Sequence, residues 1–137
     1  MALEFPSDAW VKALCEELNR SNSYRAAAKK WEGDIIFVIE KGGTMDGDRF
    51  LYMDLWHGEC RGAFELGTLA EKKDAAFTLG APLATWQELI GGRLDPIKAI
   101  IGRKVALTGP MTKILKAPKA ALELVKSAGQ LETRYPV

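Results

Sequence analysis

The sequence predicts an α+β fold, a five-stranded, mainly antiparallel sheet covered on one face by helices. Three observations carry this. Apolar residues recur every three or four positions over 8–31 and again over 83–125, the spacing of helices with one buried face. Between 34 and 66, β-branched and aromatic residues dominate, with alternation along the second segment. Short connections rich in Gly, Pro and Asp separate these segments, with no repeat or low-complexity tract, so 1–137 is expected to be a single domain. With 47% hydrophobic and 27% charged residues over 137 positions, the chain can bury a core unaided.

Ser7 or Asp8 can cap a first helix running to about Arg20, along which Trp10, Leu14 and Leu18 recur every four residues beside Val11 and Cys15. Asn22 or Ser23 restarts a helix in which Tyr24, Ala27, Ala28 and Trp31 occupy i, i+3, i+4 and i+7. Residues 34–41 form a first strand and 42–48 a turn-rich connection. A second strand, 49–57, turns Leu51, Met53 and Leu55 one way and Phe50, Tyr52, Asp54 and Trp56 the other, toward solvent. Gly58-Glu59 reads as a type II′ hairpin turn into a third strand, Glu59–Leu66.

After a polar loop at 67–73, a fourth strand is expected at 74–79. A helix follows with Pro82 in its first turn, Leu83, Trp86, Leu89 and Ile90 as its apolar stripe, and Gly91-Gly92 as its stop. Pro96 opens a short helix through Ile101, and 104–108 reads as the fifth strand. The last helix spans about 110–128, and Pro118 within it should kink it or split it in two. Met111, Ile114, Leu115, Leu122 and Val125 are expected to share one side of it.

Chemical motifs are sparse. His57 is the one histidine, and with Glu59 and Cys60 near a turn it offers too few ligands for zinc and no orienting partner for a nucleophile. Gly42-Gly43-Thr44 lacks the Lys-Ser/Thr ending of a phosphate loop, and Asp46-Gly47-Asp48 is a fragment of a calcium loop without its closing Glu. No catalytic residue, metal or cofactor is expected, and the chain reads as a non-enzyme.

Net charge is +1, but 91–137 holds nine Lys/Arg against three Asp/Glu, while 1–90 carries a balance of −5. The basic third lacks the interleaving of Arg and aromatics that nucleic-acid sheets use, so no nucleic-acid partner is expected. Two cysteines 45 positions apart do not suggest a disulfide framework. The first residues lack the pattern of a secretory signal, the last four are not a peroxisomal tail, and the longest apolar run is far short of a membrane span. A cytoplasmic location is the expectation.

The stretch from Trp86 to Gly109 resembles the signature of the sterol carrier protein type-two family, the sterol-binding or lipid-transfer domain. Trp86 stands where that signature has an aromatic, and Gly92, Leu94, Pro96, Ala99, Lys104 and Gly109 fall in place. Ile100 replaces the usual Phe, and the second glycine, Gly102, comes one position early with Arg103 in its slot. The following 111–116 and 120–125 resemble the family's closing helix.

The resemblance implies a hydrophobic tunnel between sheet and helices that takes a fatty acid, fatty acyl-CoA or sterol-like lipid. It makes Trp86, Leu89, Ile90, Ile100, Met111, Ile114, Leu115, Leu122 and Val125 the expected lining. From the basic third, Arg103, Lys113, Lys116 and Lys119 are the expected contacts for a headgroup or a transient anionic membrane surface. The alternative is an accessory module of the same fold whose apolar groove binds protein, including a second copy in a homodimer.

Overall fold

Ser7 Oγ accepts the Trp10 amide at 3.1 Å and so starts α1, Asp8–Arg20, in the computed structural model, which describes residues 2–137. Ser21 caps α2, Asn22–Ala27, in the same way. This second helix is shorter than its spacing suggests, leaving Ala28 as its cap and Trp31 beyond its end. Two residues near each terminus, β1 (Leu3–Glu4) and β7 (Thr133–Arg134), pair in parallel as a small separate ribbon that no local pattern announces.

The main sheet holds β2 (Ile35–Glu40), β3 (Arg49–Trp56), β4 (Glu59–Leu66), β5 (Phe77–Pro82) and β6 (Ala106–Thr108), ordered β4-β3-β2-β5-β6. All its pairings are antiparallel except β2–β5, where the chain crosses back to lay β5 beside the first of the five. The fold class is therefore as expected. The β3–β4 turn is His57-Gly58, not Gly58-Glu59. Both turn residues have positive φ, 50° and 82°, which makes the turn type I′. Gly is required at the second position, since a Cβ there would come within 2.5 Å of the Arg25 carbonyl. The fourth expected strand is displaced: β5 starts at Phe77, and Pro82 ends it as the N-cap of α3.

Helices α3 (Leu83–Ile90) and α4 (Pro96–Ile101) follow, the latter capped by Asp95, whose carboxylate accepts the Ile97 and Lys98 amides. Pro118 does split the last helical stretch, into α5 (Met111–Leu115) and α6 (Pro118–Ala128). A 3₁₀ turn, Leu69–Lys72, lies between β4 and β5.

The main core lies between the sheet and the helices. Helix α1 lies on β3 and β4, and α3 lies against β5 and β2. Helix α6 packs against α1, α2, α3 and α4, with only slight contact to any strand. On the opposite face, Ile36, Tyr52 and Leu66 form a second small core. Tyr52, expected to face solvent, is only 6% exposed. Its hydroxyl donates to Asp34 Oδ2 at 2.8 Å, and Lys72 lies 4.9 Å above its ring. No helix among the described residues is long and apolar enough to cross a membrane.

Cys15 and Cys60 are joined as a disulfide, contrary to the sequence expectation. Packing α1 on β4 brings them together, and Asn19 clamps the site by accepting the Cys60 amide at 2.8 Å and donating to its carbonyl at 2.9 Å. His57 meets Glu32 at 2.6 Å rather than Glu59 or Cys60. Among the described residues no group of three or more His, Cys, Asp or Glu is placed to hold a metal.

Candidate ligand-binding cavity

Because α6 rests on other helices, a gap remains beneath it. The floor is the helix-facing side of the sheet. Period-two alternation places Ile35 and Phe37 there from β2, joined by Leu55 from β3 and Leu79 from β5. One wall is α3, with Trp86 and Leu89, and α4 with Pro96 and Ile100. Val105, Ile114 and the inward face of α6 (Ala120, Ala121, Leu124, Val125) form the roof, and Tyr24 and Trp31 complete the lining. The cavity is about 100 Å³, is partly open, and among the described residues its lining carries no charged side chain.

A second apolar cavity of about 40 Å³ lies beside it, bordered by Phe5, Trp10, Leu14, Met53 and Ile90 among others. Phe37, Trp86, Leu89, Leu124 and Val125 belong to the walls of both. A larger recess near Asp8, Arg49 and Glu65 is an open surface depression lined by both charged and apolar residues.

The polar atoms in the main lining are few. Trp86 Nε1 donates to both Val38 O and Ala81 O at 3.0 Å, which pins the indole across β2 and β5. Trp31 Nε1 donates to Gly33 O at 2.9 Å, and its ring lies 5.1 Å from that of Phe77. Gly33 and Gly109 hold Phe77 from two sides, because a Cβ on either would come within 3 Å of its ring. That gives the signature glycine at 109 a packing role. Tyr24 is buried, and desolvation pushes its hydroxyl pKa up to about 12.

Of the residues expected to line the tunnel, the structure gathers Trp86, Leu89, Ile100, Ile114 and Val125 around the main cavity and Ile90 around the second. Met111, Leu115 and Leu122 border neither. Met111 is 47% and Leu122 37% exposed. The reason is the break at Pro118, which puts α5 and α6 out of phase. Within α6, Leu122 also lies about 130° around the axis from the middle of the inward face set by Ala120, Ala121, Leu124 and Val125. Tyr24, Trp31, Ile35, Phe37, Leu55, Leu79 and Val105 were missed. The alternation of β2 signals Ile35 and Phe37, and the one-sided spacing of 24–31 signals Tyr24 and Trp31, all outside the C-terminal signature; Val105 lies within that signature.

Arg103, Lys113, Lys116 and Lys119 are all exposed. Lys113 is the best placed near an end of the cavity. Its ammonium donates to the Glu32 carbonyl and lies 5.5 Å from the Trp31 ring and 5.9 Å from that of Phe77. Lys116 and Lys119 flank Ala117 and Ala120 in sequence, both of which line the cavity. Arg103 follows α4 with a positive φ of 61°.

The chain is similar in structure to a crystal structure of sterol carrier protein 2, at 38% identity and a TM-score of 0.81, covering 91% of this chain and 97% of that one. A conserved protein of Thermus thermophilus, described as a candidate sterol carrier protein, is also 38% identical with a TM-score of 0.81, covering 92% and 88% of the two chains. Sterol carrier protein 2 of Yarrowia lipolytica in its apo form shares the fold at 20% identity and a TM-score of 0.58, over 85% of this chain and 87% of that one. No curated protein matches the chain. The model of the SCP-2 sterol transfer family matches residues 11–121, and the chain belongs to that family.

Proposed function

We propose that this protein binds a hydrophobic lipid and carries it, with the apolar part of the ligand held in the cavity beneath α6. The observation that carries this reading is an apolar cavity lining without a charge among the described residues, in a chain of a sterol transfer family. Such a space cannot offset the desolvation of a polar ligand but suits hydrocarbon.

A flexible acyl chain is favoured over a rigid ring system. The free space is divided into two hollows of about 100 and 40 Å³ that meet at an aromatic pair, and a chain can bend through such a waist. An engineered apolar cavity of ~150 Å³ holds benzene. A longer chain therefore requires the roof to yield, and α5 and α6 both start without a side-chain cap. Burying a hexadecyl chain at ~0.8 kcal/mol per methylene gives a gross gain of roughly 12 kcal/mol. Association and ordering costs of about 4 kcal/mol or more bring this to micromolar affinity or somewhat tighter. Lys113 near one end supplies a cation for an acidic headgroup.

Titration with a fluorescent fatty acid tests the reading. The expected result is saturable binding of one probe per chain, displaced by unlabelled fatty acid. Failure to saturate at any concentration below probe aggregation contradicts it.

A further inference from the structure

Tyr24 is 2% exposed and borders the main cavity, yet its hydroxyl has no hydrogen-bond partner among the described residues. Its backbone is fully used: the amide is bound by Ser21 Oγ, and the carbonyl accepts the Ala28 amide. The hydroxyl keeps some accessible surface, since among the described residues no fully occluded side-chain oxygen lacks a partner, and Tyr24 is one of the residues that line the cavity. The other polar side-chain atoms of the lining, the two indole N–H groups, are already bound to backbone carbonyls. The apolar wall thus includes one tyrosine whose hydroxyl is uncommitted within the described protein. Burying such a group without a partner is costly.

We infer that Tyr24 is the polar contact of the cavity, and that it receives a lipid carrying an uncharged oxygen, an alcohol, ketone or ester, within its buried part. This rests on the lipid-binding reading above. An uncharged group is specified because among the described residues no cationic side chain lines the cavity, and one neutral hydroxyl cannot offset the desolvation of a carboxylate. A phenol both donates and accepts, so it serves an alcohol or a carbonyl equally. A phenol is protonated at neutral pH in any case, and burial raises its pKa further.

The experiment is a cycle between a ligand hydroxyl and the protein hydroxyl. 1-Octanol and nonane, which have the same number of heavy atoms, are each used to displace a bound fluorescent fatty acid from the wild-type chain and from Tyr24→Phe. The expected result is that Tyr24→Phe raises the Kd of 1-octanol relative to that of nonane by roughly five- to tenfold, the worth of one neutral hydrogen bond. The melting temperature of Tyr24→Phe should not fall, because the hydroxyl has no partner in the free protein; a clear fall would mean that it has a structural partner, and would overturn the inference. An equal change for both ligands, or displacement by neither while the fatty acid still binds, also overturns it. Absence of fatty acid binding to the wild type overturns the lipid-binding reading instead, and the inference with it.

Discussion

Phe37 and Trp86 meet edge to face, with ring centroids 5.7 Å apart and planes at 80°, and both belong to the walls of the two apolar cavities. The pair is held from one side only. The Trp86 indole is fixed to Val38 and Ala81 by hydrogen bonds, whereas the Phe37 ring has packing alone. Of these two aromatic residues shared by both linings, Phe37 is accordingly the one whose truncation breaks no hydrogen bond.

Phe37→Ala should join the two cavities into one. Truncating a Phe in a core costs about 3 kcal/mol or more, so the urea midpoint falls. Binding should shift in favour of longer chains, read as the ratio of Kd values for a C10 and a C16 fatty acid. An unchanged ratio would show that the chain does not pass this point.

Reducing the Cys15–Cys60 bond should lower stability by about 2–4 kcal/mol, from the 45-residue separation that it closes. Thermal melts with and without a reductant measure this. The Asn19 clamp on Cys60 remains, so the reduced chain should still fold. Equal melting temperatures would mean that the bond adds nothing to the packing of α1 on β4.

Alkaline pH should unfold the protein through its tyrosines. Burial raises the pKa of Tyr24 from 10 to about 12, and burial together with the hydrogen bond to Asp34 raises that of Tyr52 further. Below pH 10 both states hold these protons and the stabilisation is fully present. Above it the unfolded chain releases protons that the folded chain keeps, so stability falls with rising pH until the folded pKa is reached. The urea midpoint should decline from about pH 10 to about pH 12, and less steeply in Tyr24→Phe. A flat profile would show that these hydroxyls are solvated.

Lys113→Gln should weaken fatty acid binding about two- to fivefold at low salt and leave the methyl ester unaffected, since an exposed charge contributes little more than this. The difference should fade as salt is raised. Equal weakening of acid and ester would assign Lys113 to packing over Trp31 and Phe77, not to the headgroup.

Much of the fold was legible because its signals are local. Ser7 before Trp10, Leu14 and Leu18 defines α1, Asp95-Pro96 defines the start of α4, and Pro118 divides α5 from α6. What local pattern could not give is what arises from distant partners. The β1–β7 ribbon joins segments of two residues about 130 positions apart, and Cys15 finds Cys60 only once α1 lies on β4. The hairpin turn was misplaced by one residue because His57, not a glycine, takes the first left-handed position. At the cavity, Trp86, Leu89 and Ile100 followed from the signature. Phe37 and Tyr24 did not, because they reach the cavity from the N-terminal half, across a sheet whose order cannot be read along the chain.

Intermolecular NOEs from a uniformly ¹³C-labelled fatty acid to the methyl groups of the protein test most directly whether the lipid lies beneath α6. Contacts are predicted to Leu89, Ile100, Ile114 and Val125, which line the cavity. Contacts confined to Ile101, Met111 and Leu122, the exposed apolar residues of the helices, would place the lipid on the surface and contradict the account.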